Sequence, residues 1–299
     1  MGIKIEKPSI YLGSKKLDLY SFAKKYKEVI TKKIGSRYIH VEKEKNILEM
    51  SFEACKKIIK YKKKIKFLIF VSQGQDYILP SCAESLAQKL GLNKNTFVIS
   101  VSSGCSGFVQ ALHTANNFLN KINNCGLIVC VEKYSKYISV KDFKTRVLFS
   151  DAASATIVKF INKKNILSSD FGFDGINSSA LQVYKKKSFS KLEMDGNKIF
   201  LFGVNNIPAS IKRVSEDKKI KIDKYLIHNG SKFLINTLCQ KIPNSKKKIL
   251  TSFHVTGNTV SSSIPLLINI HYKKLKSKRI ILSGFGVGLS WATLLMNWL

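Results

Sequence analysis

Apolar positions along this chain gather into short unbroken runs, with segments of helical spacing between them. Residues 66–71 (KFLIFV), 96–101 (TFVISV) and 126–131 (GLIVCV) have strand length and apolar side chains on both faces, the pattern of strands covered from two sides. Between these runs the period changes. Leu79-Pro80-Ser81 opens a helix that closes at Leu90-Gly91, with the glycine as C-cap. After Ser102-Ser103-Gly104, a tight turn, Cys105 begins a helix reaching Leu119. Upstream, the pattern predicts a strand over 8–12, an amphipathic helix over 17–30 and a second helix over 46–60. The latter carries Leu48, Phe52, Cys55 and Ile59 on one face. A further strand is expected over 146–160. This alternation indicates an α/β protein with a mainly parallel sheet and helices on both faces.

The second half repeats the rhythm. Residues 224–227 form a strand that ends at His228, a helix follows over 231–240, and Gly257-Asn258 opens another over 259–272. Residues 280–299 carry no charge and follow Lys276, Lys278 and Arg279, which on hydropathy alone is a tail-anchor pattern. Glycines at 284, 286 and 288 break that segment near its start, so it is read as a buried hairpin rather than a membrane insertion. No linker rich in Pro, Ser or Gly separates the halves. They are expected to pack into one body, with residues 1–160 as an N-terminal half and 161–299 as a C-terminal half.

The composition, 44% apolar and 23% charged over 299 residues, excludes disordered, collagen-like and disulfide-stapled classes. The balance of 51 Lys and Arg against 19 Asp and Glu gives a formal charge of +32. Only Arg37, Arg146, Arg213 and Arg279 are arginines. A nucleic-acid reader would need clustered Arg or interleaved aromatics, and neither occurs, so a nucleic-acid partner is not expected. The lysine bias reads as composition drift, with a basic face for an acidic partner as the second reading. Cys55, Cys82, Cys105, Cys125, Cys130 and Cys239 lack metal-ligand spacing, and residues 1–9 lack a secretory leader pattern. Reduced cytoplasmic thiols and no metal are expected.

Cys105 stands out by position: it follows a buried strand and a glycine turn, and it opens a helix. Backbone N–H groups at a helix start stabilise a thiolate and lower its pKa, as a nucleophile requires. A buried structural thiol is the alternative reading. His228 ends a strand in the second half in the same way. Asn258 after Gly257 reads as an N-cap. The bend Gly284-Phe285-Gly286-Val287-Gly288 suits presentation of a backbone N–H to an oxyanion.

Four segments together resemble 3-oxoacyl-[acyl-carrier-protein] synthase III of the thiolase superfamily: 101–108 (VSSGCSGF), 148–155 (LFSDAASA), Gly257-Asn258-Thr259 with 261–265, and 284–291. The resemblance runs from about residue 30 to the C-terminus. It implies a thiolase-like five-layered αβαβα fold of two pseudo-duplicated halves, a homodimer, and a catalytic triad of Cys105, His228 and Asn258. It further implies an oxyanion hole from the backbone N–H groups of Cys105 and Val287, and substrate contacts at Lys33, Leu79, Phe143, Ser231 and Lys232. The implied reaction loads an acyl group on Cys105 from an acyl-carrier-protein or acyl-CoA thioester. His228 and Asn258 then assist decarboxylative condensation with a malonyl-type extender, with no cofactor.

Departures from the family pattern cluster at the coenzyme A handles. Val29 stands for a stacking Trp, Lys33 and Phe143 for two Arg, Val287 for a Gly, and Leu79 for a Phe that lines the partner's acyl pocket. These favour an acyl-carrier-protein donor. The alternative activity is acyl transfer from Cys105 to an amine, hydroxyl or thiol without condensation. A cysteine protease fails because no Trp follows Cys105. A catalytically dead subunit is disfavoured by the intact triad.

Overall fold

A computed structural model describes residues 1–22, 26–186, 189–215 and 220–299. The strands of the first half are β1 (Gly2–Ile5), β2 (Ser9–Leu12), β3 (Lys15–Asp18), β4 (Tyr38–Val41), β5 (Phe67–Val71), β6 (Phe97–Val101), β7 (Cys125–Glu132) and β8 (Ala152–Ile161). Those of the second are β9 (Ile166–Phe173), β10 (Leu181–Lys186), β11 (Phe189–Met194), β12 (Lys224–Ile227), β13 (Arg279–Gly286) and β14 (Ser290–Asn297). Helices are α1 (Leu19–Phe22), α2 (Lys27–Val29), α3 (Ile47–Cys55), α4 (Cys82–Lys89), α5 (Gly107–Phe118), α6 (Phe143–Arg146), α7 (Gly196–Ser215), α8 (Lys232–Lys241) and α9 (Ser263–Leu275).

One sheet has the order β1-β8-β7-β5-β6, with β2 also pairing β8. β5 runs parallel to β6 and β7, and β8 runs antiparallel to β7. The other sheet has the order β12-β13-β14-β9, parallel only between β12 and β13. The second sheet is therefore mostly antiparallel, against the expectation of a mainly parallel one, because the apolar C-terminal hairpin supplies its two central strands.

Helices α5 and α9 lie between the sheets. Phe108, Leu112, Ile264 and Leu267 pack there with Phe67, Ile69 and Ile128 of one sheet and Leu226, Leu282 and Leu294 of the other. Outside the first sheet α3 and α4 bury Met50, Cys55, Leu86 and Leu90 against Leu68, Phe70 and Val129. Outside the second, α7 and α8 bury Ile207, Ile211 and Leu238 against Tyr225, Ile227 and Ile281. These are the five layers αβαβα. Central strands are apolar on both faces because each sheet is covered on both sides.

Three expectations need correction. The helix expected over 17–30 begins instead with Leu17 in β3, paired to β4; Asp18 then accepts the Tyr20 N–H and starts the helical turn α1. Residues 23–25 of that span lie outside the described residues. The strand expected from 146 starts at Ala152, since Asp142 caps α6 by accepting the Thr145 N–H. The helix expected from Cys105 starts at Gly107. Elsewhere the caps behave as their chemistry dictates. Asn46 and Glu49 form a reciprocal capping box on α3, and Ser81 and Ser231 cap α4 and α8.

Phe108 is fully buried at the start of α5. Phe108→Ala is expected to cost about 3–5 kcal/mol, read as a lower urea midpoint at unchanged slope.

Candidate active site

Cys105 sits on the turn between β6 and α5, which the Gly107 N–H closes on the Gly104 carbonyl at 2.9 Å. Glycines crowd it on three sides, and at Gly284, which faces backbone, no other residue fits. A Cβ on Gly104 would lie 2.4 Å from Gln73 Oε1, and one on Gly284 would lie 2.3 Å from the Cys105 carbonyl oxygen. A Cβ on Gly286 would lie 3.1 Å from Cys105 Sγ. Strand β13 therefore passes directly against the turn that carries Cys105. Only 6% of Cys105 is exposed. Burial, and then the carboxyl of Glu132, push its thiol pKa up; the one opposing influence is a backbone hydrogen bond. The expected lowering does not hold. Loss of water around a thiolate outweighs what the helix start returns.

His228 follows β12, and its N–H donates to the Ser283 carbonyl at 2.8 Å, extending the β12–β13 pairing by one residue. Its ring stands edge-on to Phe285 with centroids 5.7 Å apart. Asn229 locks the corner: its Nδ2 donates to the Ile227 carbonyl at 2.7 Å and its Oδ1 accepts the Ser252 N–H at 2.9 Å. Burial lowers the His228 pKa to about 3, so the imidazole is neutral and keeps one N–H donor. Nδ1 is buried with no hydrogen-bond partner among the described residues.

Asn258 is held by backbone on both sides. Its N–H donates to the Leu148 carbonyl and its carbonyl accepts the Ser150 N–H, each at 2.8 Å. The expected N-cap role is replaced by a turn in which Asn258 Oδ1 accepts the Val260 N–H at 2.8 Å. That leaves the Asn258 NH₂ for the pocket. Val260 pays for the turn with a φ of 51°, unfavourable for a β-branched residue.

Cys105, His228 and Asn258 line one cavity of about 120 Å³. Its other walls are chiefly apolar, including Leu148, Phe149, Leu181, Met194, Ile199, Phe200, Leu234 and Phe285. Ser231 also lines it while capping α8. Lys232 reaches the Thr31 carbonyl at 3.3 Å, which brings the exposed helical turn carrying Lys32 and Lys33 against the start of α8. Phe143 does not line this cavity; it stacks on Tyr26 with centroids 4.7 Å apart. Leu79 is 86% exposed on the loop before α4, away from the chain's own cavity. Val287 borders a second cavity, of about 240 Å³, with Gln73, Ser102 and Tyr134. Its neighbour Gly286 is the residue that flanks Cys105.

Sequence reasoning missed β10, β11 and α7, which supply half the apolar wall. Pro208 inside α7 breaks the sequence pattern of a helix, yet Pro208 is carried in its interior. Glu132 was also missed, since an acid at the end of an apolar strand has no signature until its burial is seen. Among the described residues no cluster of His, Cys, Asp or Glu is built to hold a metal, and no helix is long and apolar enough to cross a membrane.

Known proteins share this chain's sequence and fold. Two family models match, 3-oxoacyl-[acyl-carrier-protein (ACP)] synthase III at residues 99–175 and its C-terminal counterpart at residues 215–298. Together they span more than half the chain. The chain belongs to the 3-oxoacyl-[acyl-carrier-protein] synthase III family. It is 28% identical over 293 residues to the beta-ketoacyl-[acyl-carrier-protein] synthase III of Streptococcus pneumoniae, covering 90% of each chain. The 3-oxoacyl-[acyl-carrier-protein] synthase III structure from Aquifex aeolicus superposes with a TM-score of 0.90 at 25% identity, over 99% of this chain and 100% of that one. The priming beta-ketosynthase of the R1128 polyketide pathway shares the fold, with a TM-score of 0.88 at 19% identity over 99% and 96% of the two chains. This family membership makes the chain an acyl-transferring enzyme of the condensing class and bears out the thiolase-like fold. Acyl transfer without condensation is not favoured.

The buried neutral imidazole has a consequence for stability. Below about pH 6.5 the unfolded chain protonates His228, while the folded chain refuses the proton until about pH 3. Folding stability is expected to fall through that window, and His228→Gln to flatten part of the fall. Denaturant midpoints at pH 7, 5 and 4 measure it; parallel curves for the two proteins would contradict the burial argument.

Proposed function

We propose that this chain takes an acyl group from a thioester onto Cys105 and condenses it with a malonyl-type thioester. The observation that carries the reading is the meeting of Cys105, neutral His228 and the free amide of Asn258 around one apolar cavity. In the first step Cys105 Sγ attacks the thioester carbonyl. The thiol proton leaves with the departing thiolate, giving an acyl-cysteine and a free thiol. Loading therefore needs no standing thiolate, in keeping with the raised pKa of Cys105. Backbone N–H groups of Cys105 and Val287 are the proposed donors to the tetrahedral oxyanion.

In the second step the extender loses CO₂ and its carbonyl oxygen becomes an enolate oxygen. The His228 N–H and the Asn258 NH₂ donate to that oxygen, and both are neutral donors in a site shielded from water. The enolate carbon attacks the acyl-cysteine, a carbon–carbon bond forms, and Cys105 leaves as thiolate and recovers a proton. Neutral donors suit this step, because a cationic imidazole would have to be desolvated first.

The donor is proposed to be an acyl-carrier protein. Val29 and Phe143 supply neither the stack nor the guanidinium that would grip adenine and phosphate. The exposed Lys32, Lys33 and Lys144 suit steering of an acidic protein. A homodimer is proposed through β6. That strand is the edge of its sheet with Phe97 nearly half exposed, and the loop before α4 presents Ile78 and Leu79 almost fully to solvent.

Intact mass after incubation with acyl-carrier thioesters and acyl-CoAs tests loading, and addition of a malonyl thioester tests condensation. Wild type is expected to gain the acyl mass and release it as product with CO₂; Cys105→Ala gains none. His228→Ala and Asn258→Ala are expected to load but to condense about 10²–10³ more slowly. If both fail to load, His228 is the base for Cys105. Carrier thioesters are expected to load faster than the matching acyl-CoAs, with an advantage that shrinks as salt rises. Equal rates at low salt would overturn the donor assignment.

A further inference from the structure

Glu132 ends β7 fully buried, and no step of the proposed reaction uses it. Its carboxyl accepts the Gln73 N–H at 3.2 Å from one side and the Ser261 hydroxyl at 3.3 Å from the other. The first partner belongs to the loop that supports the nucleophile. Gln73 packs on Gly104 so closely that a Cβ there would lie 2.4 Å from its Oε1, and that oxygen accepts the Tyr134 hydroxyl at 2.6 Å. The second partner belongs to the strained turn that aims Asn258. Ser261 follows Val260, and Ser262 is pinned in turn to the Cys130 carbonyl and to Ser154.

We propose that Glu132 is a positioning residue that ties the turn of Cys105 to the turn of Asn258 and sets the reactivity of the Cys105 thiol. The ionisable groups that face it are Cys105, Cys130, Tyr134 and Tyr137, all acids. Its chain neighbour Lys133 sends its ammonium to the Lys45 carbonyl at 2.7 Å, and His228, across the cavity, is neutral at any pH above about 3. With no cation facing it among the described residues, a negative Glu132 and a Cys105 thiolate compete for a single negative charge in one buried region. Burial pushes the carboxyl up to about 8, so near pH 7 it is mostly neutral and leaves the thiol free to react. Above that pH it ionises and opposes the thiolate.

The alkylation of Cys105 by iodoacetamide, followed by peptide mass against pH, reads this coupling without reference to the condensation reaction. In wild type the logarithm of the rate is expected to climb with unit slope to about pH 8 and to flatten above it. In Glu132→Gln it is expected to climb straight through, giving alkylation up to about tenfold faster than wild type at pH 9. A wild-type profile that does not bend, or one that overlays the variant's, overturns the coupling.

Ser261→Ala tests the tie to Asn258 and keeps the proposal falsifiable if Glu132→Gln does not fold. Loss of this hydroxyl is expected to slow condensation about three- to tenfold while acyl loading changes less than twofold. Unchanged condensation overturns the tie. The condensation arm rests on the proposed function, whereas the alkylation arm does not. A protein that loads no thioester yet shows the bend would refute that function and retain the coupling.

Discussion

Strand β13 runs past the turn of Cys105 at a separation that no side chain would permit. Gly284 meets the Cys105 carbonyl and Gly286 meets the thiol itself, so the second sheet is in contact with Cys105, carried by the first. The rest of the site depends on that contact. β12 pairs with β13 and delivers His228, whose N–H is held by Ser283, the residue before Gly284. Phe285, between the two glycines, turns its ring to the outer side and supports the imidazole. Cys105 and His228, carried by different sheets, are thereby placed by one strand, with α5 and α9 filling the space behind them.

The electrostatics of the cavity and its surroundings follow from burial. Burial raises the acids Cys105, Glu132 and Tyr134 and lowers the base His228, so the preferred state of the whole group is neutral. A site in this state stabilises a new negative charge with dipoles and N–H groups rather than with standing cations. Those dipoles have to be fixed in advance, because they cannot reorient at no cost. That requirement gives a reason for the dense hydrogen bonding of Asn229, Asn258 and Ser150 with backbone, and for the strain carried by Val260.

The surface has the opposite character. Basic residues outnumber acidic ones by 51 to 19, so most of the positive charge has no carboxylate to meet. Three of the four arginines serve structural ends: Arg37 pairs with Asp18, Arg213 makes a two-point contact with Asp170, and Arg279 bonds Asn297. None of the four lines the catalytic cavity. The exposed positive charge is carried mainly by lysines, which attract at range and grip weakly.

The sequence by itself determined much of this protein. Buried strands such as β5, β7 and β12 were legible because a strand covered on both faces must be apolar throughout, and the helix starts near Ser81 and Ser231 because the hydrophobic period changes there. Cys105, His228 and Asn258 were marked by their positions at element ends and by a family resemblance. The fold decided the rest. The pKa of Cys105 went up rather than down, since desolvation depends on what covers a group and no local pattern records that. Phe143 was taken up by Tyr26, far along the chain, and the Asn258 backbone was bridged to Leu148 while its Oδ1 accepts the Val260 N–H. Glu132 emerged only from burial between two loops. The physical reason is common to all four: pattern and capping act within a few residues, whereas solvent exclusion and charge competition depend on chain segments that meet only in the folded state.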